Sequence, residues 1–143
     1  MKKILSIVAF SAVIFAGCVG IGQKFVDPVP VKTEPVAQEY FKLETPISGS
    51  SITSPIEIAG QAKGPMFFEG SFPISIQDID GKVLGTDTAK AIGDWMTEKD
   101  VPFKATLTFK KPTTKTGFII LKNDNPSGLP ENEHSVKFPI SFK

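Results

Sequence analysis

Few side chains in this chain can carry covalent or acid–base chemistry. Among 143 residues there is one histidine, His134, one cysteine, Cys18, and one tryptophan, Trp95. A hydrolase needs a nucleophile, a base beside it and donors for the developing oxyanion; no Gly-x-Ser-x-Gly turn is present, and one histidine cannot form a zinc pair. Asp78 and Asp80 begin a calcium-like "DIDG", but glycine falls at the fourth position instead of the sixth, and Ala89 occupies the twelfth, where a glutamate is needed. Glu69 and Asp94 are the carboxylates nearest to a glycosidase pair, whose members stand about 5–9 Å apart across a cleft; a small domain rarely supplies such a cleft. The expectation is a protein without a reaction, a metal or a cofactor. All 16 basic residues are lysine, and without Lys2 and Lys3 the chain has 14 lysines against 15 carboxylates. With no guanidinium forks and no net positive charge, nucleic acid is not an expected partner.

Cys18 has a different setting. Lys2 and Lys3, the apolar run Ile4–Ala16 and then small residues have the three-part layout of a secretory signal. Ala16-Gly17-Cys18 resembles the lipobox of bacterial lipoproteins, departing from it in Phe15, where leucine is usual. The resemblance implies a signal peptide over 1–17 and a lipidated Cys18 that anchors the chain, outside the cytoplasm, to the cell membrane or outer membrane. One acyl chain binds a bilayer only marginally, whereas two or more hold it stably. An uncleaved anchor over Ile4–Gly22 is the alternative, since 19 residues reach across a bilayer; either way the chain is tethered from outside.

The elements that would position the remaining candidates follow from patterning. Residues 18–39 hold Pro28, Pro30 and Pro35 and lack alternation, so they read as a semi-rigid tether. At about 3.1 Å per residue such a tether spans up to roughly 65 Å. From 40 to 143 apolar residues recur with period two: Ile56 and Ile58; Phe72, Ile74 and Ile76; Phe103, Ala105, Leu107 and Phe109; Val136, Phe138, Ile140 and Phe142. With 40–44, 82–88 and 117–122 added, about seven short strands fill some hundred residues, which predicts an all-β, immunoglobulin-like antiparallel sandwich. "DIDGKV" supplies a hairpin signal. Twelve phenylalanines, most of them in this region, can build a core without a disulfide.

The stretches "SPIEIAGQAKG" (54–64), "MFFEGSFPISIQDIDGKVLG" (66–85), "AIGDWM" (91–96), "VPFKATLTF" (101–109) and "DNPSGLPE" (124–131), in this order, resemble the immunoglobulin-like domain of bacterial spore-germination proteins, a GerM-associated module. The resemblance implies a β-sandwich of exported envelope proteins with a binding or scaffolding role. On this reading the partner is an envelope protein or a cell-wall glycan; the alternative is a structural or assembly subunit of an envelope complex.

Candidate binding residues fall in three stretches. Phe67 and Phe68 are adjacent, so in an extended chain they point to opposite faces and one of them must leave the core; Glu69 beside them is either a ligand group or a turn-capping carboxylate. Asp94 can hold a turn, and Trp95 is either a plug or a platform. Burying an indole removes about 150–250 Å² from water, equivalent to about 4–6 kcal/mol before entropy, which favours the plug; stacking on a partner remains the alternative. In 123–131, Asp124, Asn125, Ser127 and Glu131 can bind a cation or a glycan hydroxyl, or can equally bond to one another as a closed loop.

Overall fold

The computed structural model describes residues 37–143. The signal, Cys18 and all but the end of the tether lie outside the described residues. A short helical turn, α1 (Ala37–Tyr40), leads into eight strands: β1 (Phe41–Thr45), β2 (Ser51–Ile52), β3 (Ile56–Lys63), β4 (Ser71–Asp78), β5 (Val83–Ala91), β6 (Asp100–Leu107), β7 (Thr116–Lys122) and β8 (Ser135–Phe142). The folded part thus begins before residue 40, because α1 packs on β1 and β8.

Alternation makes the strands. In β4, Phe72, Ile74, Ile76 and Asp78 are buried, with Ser71, Pro73, Ser75 and Gln77 between them; in β6, Val101, Phe103 and Leu107 are buried while Pro102, Lys104 and Thr106 face water. A strand with this pattern is stable only when its apolar face meets another sheet. The strands form one sheet in the order β1-β3-β6-β5-β4-β7-β8-β2. The seam between β5 and β6 has only two residue pairs, Lys90 with Lys104 and Ala91 with Phe103. At this narrow seam the sheet folds on itself, so that β1, β3 and β6 face β4, β7 and β8. Phe72 of β4 shows the closure: its ring lies 5.2 Å from Phe41 of β1 and 4.9 Å from Phe103 of β6, each edge to face.

This is the expected immunoglobulin-like sandwich, with two refinements. The strand absent from the sequence reading is β2, two residues that pair with β8 in parallel; the other pairings are antiparallel. Alternation cannot be read from two residues, and β2 exists because the chain leaving β1 crosses to the other layer. The hairpin at "DIDGKV" joins β4 to β5, and buried Asp78 uses Oδ1 to accept the Asp80 and Lys82 N–H groups. The carboxylate that opened the calcium-like pattern holds this turn together. The buried hydrophobic residues run from Phe41 to Ile140, so the described segment closes its own core.

Candidate functional site

Strand register gathers the candidate residues at one end of the sandwich. Phe41 pairs with Ala62, Lys63 with Asp100, Ser71 with Lys90, Ile74 with Leu121 and Lys122 with Ser135. The segments that follow or precede these pairs, α1, 64–70, 92–99 and 123–134, therefore emerge together.

Residues 68–71 form a tight turn. Phe68 and Ser71 exchange both backbone hydrogen bonds, at 2.9 and 3.1 Å, and the two residues between them have positive φ, 51° at Glu69 and 74° at Gly70. That is the signature of a type I′ turn, in which asparagine or glycine usually stands first. Glu69 is the one non-glycine residue with positive φ among the described residues. The turn separates the neighbouring phenylalanines as their adjacency requires: Phe67 is buried, 5.1 Å from the Phe72 ring, and Phe68 is 43% exposed. Phe67 therefore belongs to the core, leaving Phe68 on the surface.

The 92–99 loop lies across this turn. Gly64 donates its N–H to the Lys99 carbonyl at 3.0 Å, and a Cβ on Gly64 would stand within 2.7 Å of both the Thr97 and Trp95 carbonyl oxygens. No other residue type lets the two backbones approach so closely. Trp95 is half-buried and packs on the core, its indole so near Gly70 that a Cβ there would be 3.2 Å from Cδ1 and Nε1. Plug and platform are thus not the two alternatives: one part of the ring closes the end of the core and the rest meets water. Asp94 accepts the Met96 N–H on Oδ1 at 3.0 Å, which holds the turn and leaves Met96 76% exposed.

The third segment is a self-bonded loop. Asn125 Nδ2 donates to the Leu129 carbonyl at 2.8 Å, Ser127 Oγ donates to Asn125 Oδ1, and Asn132 Nδ2 donates to Ser127 Oγ at 3.1 Å. Asn125 and Ser127 are therefore used by the loop itself, while Asp124 and Glu131 are exposed. Buried Asn123 anchors it, its amide donating to the Asn132 carbonyl and accepting from the His134 N–H, both at 2.8 Å. Sequence reasoning missed Asn123; a polar residue ending an apolar strand is its only trace. His134 stacks at 4.5 Å on Tyr40, tying this loop to α1.

A family model described as the Gmad2 immunoglobulin-like domain of bacterial spore germination matches residues 41–128. The chain belongs to this family. The match runs through every candidate segment except the end of the last loop, and it stops before β8, although β8 pairs with β7 along its length from Thr116–Ser141 to Lys122–Ser135. The family's immunoglobulin-like unit is completed here by the strand beyond the matched residues. No curated protein and no solved structure matches the chain.

Two other regions bear on chemistry. A trough of about 540 Å³ opens where β5 and β6 diverge, lined among others by Glu57 and Ala59 of β3, Asp87 and Lys90 of β5, and Lys104 and Thr106 of β6. Its charges are mixed, and no sequence motif marks it. On β6, Asp100 receives Lys42 at 2.6 Å and Lys63 at 2.8 Å; the lysine hydrogen bonds hold its carboxyl below the ordinary range, and the bond to Asp100 raises Lys63. Among the described residues no group of three or more His, Cys, Asp or Glu side chains is placed to hold a metal ion, and no helix is long and apolar enough to cross a membrane.

Proposed function

We propose that this protein is a non-catalytic binding module, held outside the cytoplasm by a lipidated Cys18, and that the end of the sandwich formed by 67–70, 92–99 and 123–134 receives another envelope protein. One observation carries the reading. Four of the seven large apolar side chains left exposed among the described residues, Phe68, Ile92, Met96 and Leu129, lie in the segments at this one end, whereas Ile47, Ile79 and Val83 lie outside it. Exposed apolar groups concentrated on one surface mark an interaction site more often than chance, and these stand on backbone fixed by the turn, the Asp94 cap and the Asn123 anchor. An aromatic ring and a thioether fit a partner's pockets, whereas Trp95, the natural platform for a sugar, has part of its ring taken up by Gly70. Membership of a spore-germination family supports an extracytoplasmic role related to germination.

A cell-wall glycan is the second reading, favoured by Asp124 and Glu131, exposed carboxylates beside the same surface. Residues 37–143, which contain the whole described core, test both. Retention on detergent-extracted envelope protein, reduced about tenfold by Phe68→Ala with Met96→Ala, is the expected result. Retention on purified wall glycan, unaffected by that pair but lost with Asp124→Asn and Glu131→Gln, would replace it with the second reading. Turnover of a wall fragment that depends on Glu69 would instead make the protein an enzyme. Mass analysis of the chain from its native membrane tests the lipid on Cys18.

A further inference from the structure

The end opposite the candidate surface has its own chemistry. Four segments meet there: the uncharged chain from β1 to β3 at 46–55, the β4–β5 hairpin at 79–82, the β6–β7 connection at 108–115, and the end of β8. Backbone hydrogen bonds join them, Ile79 N–H to the Thr116 carbonyl at 3.1 Å, Lys110 N–H to Leu84 at 3.0 Å and Phe142 N–H to Lys115 at 2.9 Å. This surface carries Lys82, Lys110, Lys111, Lys115 and Lys143, all exposed, with Asp80 as its one carboxylate. None of the five lysines makes an ion pair among the described residues. Ile79 and Val83 stand among them, 53% and 49% exposed. At the other end the balance reverses: Glu69, Asp94, Glu98, Asp124 and Glu131 accompany a single loop lysine, Lys99, while Glu133 is paired with Lys122. The chain's near-neutral total conceals a domain that is basic at one pole and acidic at the other.

We infer that the lysine pole docks on the surface of an anionic lipid bilayer, with Ile79 and Val83 entering the headgroup layer, so that the acidic, apolar pole faces away from the membrane. Lysines held near an anionic surface each strengthen binding about fivefold, and apolar side chains between them add contact that salt does not screen. The acidic pole is repelled by the same field, which sets the orientation. Five lysines give the free domain a modest affinity of its own, and the tethered reading of Cys18, on which the orientation at the membrane rests, would raise occupancy by confining the domain near the bilayer. Reach is sufficient on length alone: eighteen residues at a polyproline rise would span about 55 Å, while an eight-residue strand such as β4 is about 27 Å long. The tether can therefore enter at α1, beside the acidic pole, and still let the basic pole touch lipid.

Co-sedimentation of residues 37–143 with vesicles tests this without the lipid on Cys18, so it can fail while the anchor stands, and the reverse. The expected result is retention on phosphatidylglycerol-rich vesicles and none on phosphatidylcholine, falling steeply as salt rises from about 0.1 to about 1 M and the screening length shrinks from about 10 to about 3 Å. Lys110→Glu with Lys111→Glu and Lys115→Glu is expected to lower retention about 100-fold, and Ile79→Ser with Val83→Ser to lower it several-fold. The control, Lys90→Glu with Lys99→Glu and Lys104→Glu, makes the same charge change away from this pole and is expected to retain most binding; circular dichroism verifies each fold. Equal loss in the control, equal binding to neutral vesicles, or binding of soluble polyphosphate in place of vesicles would each overturn the inference.

Discussion

At the scale of single residues, the candidate end is built by side chains with unequal freedom. Glu69 sits at φ 51° where asparagine is better tolerated, so Glu69→Asn is expected to stabilise the fold by about 0.5–1 kcal/mol in urea unfolding. If its carboxylate also contacts the partner, the same variant binds less well while melting higher, a combination that separates strain from scaffold. Asn123 has the opposite balance. Replacing it with alanine leaves the His134 N–H and the Asn132 carbonyl without partners, at a cost of about 1–3 kcal/mol, and amide exchange should rise across 124–134 before it rises elsewhere. Trp95, half in the core, is expected to emit between the positions of buried and free indole and to be partly quenched by iodide. Gly70→Ala, which presses a methyl on that ring, should shift the emission to the red and destabilise the turn, where alanine resists positive φ.

Elements add what residues cannot. The Lys42–Asp100–Lys63 cluster clips β1, β3 and β6 together on their outer face. Because the Asp100 carboxyl is held below its ordinary value of 3.8, the cluster's contribution is complete above that value and is lost as the pH falls beneath it. Lys63, raised above 10.5, contributes fully below that value and ceases to as the pH climbs past it. Asp100→Asn should therefore lower neutral stability and flatten the acid limb of a melting-temperature profile by the same small amount, since exposed pairs are worth little. β8 is a second case. It covers β7 and brings Val136, Phe138 and Ile140 into the core, so a chain ending at Gly128, where the family match ends, is expected to show no cooperative unfolding and to bind a dye for exposed apolar surface.

The whole molecule depends on closure of the curled sheet. Phe72 of β4 touches rings from β1 and β6 in the facing layer and from the 64–70 segment, so Phe72→Ala should cost about 3–5 kcal/mol, a large part of the 5–15 kcal/mol available to a small domain. A single urea transition at a lower midpoint, with unchanged slope, is the expected readout. Closure also sets the polarity, because every crossing from one layer to the other places its loop at one pole or the other.

Much of this was legible in the residues themselves. Period-two alternation marked four of the eight strands and short strand-like runs three more, and adjacency alone required Phe67 and Phe68 to part. The hairpin at Asp78 and the turn role of Asp94 follow from side chains that bond to their own backbone. What local pattern could not decide were properties of pairs distant in sequence: β2, which exists only through its partner β8; the use of Asn123 by residues nine and eleven positions away; and the half-burial of Trp95, fixed by contact with Gly70. The separation of charge is of the same kind. Composition reports only a sum, and the poles arise when register sends the lysine-bearing connections to one end and the acidic ones to the other.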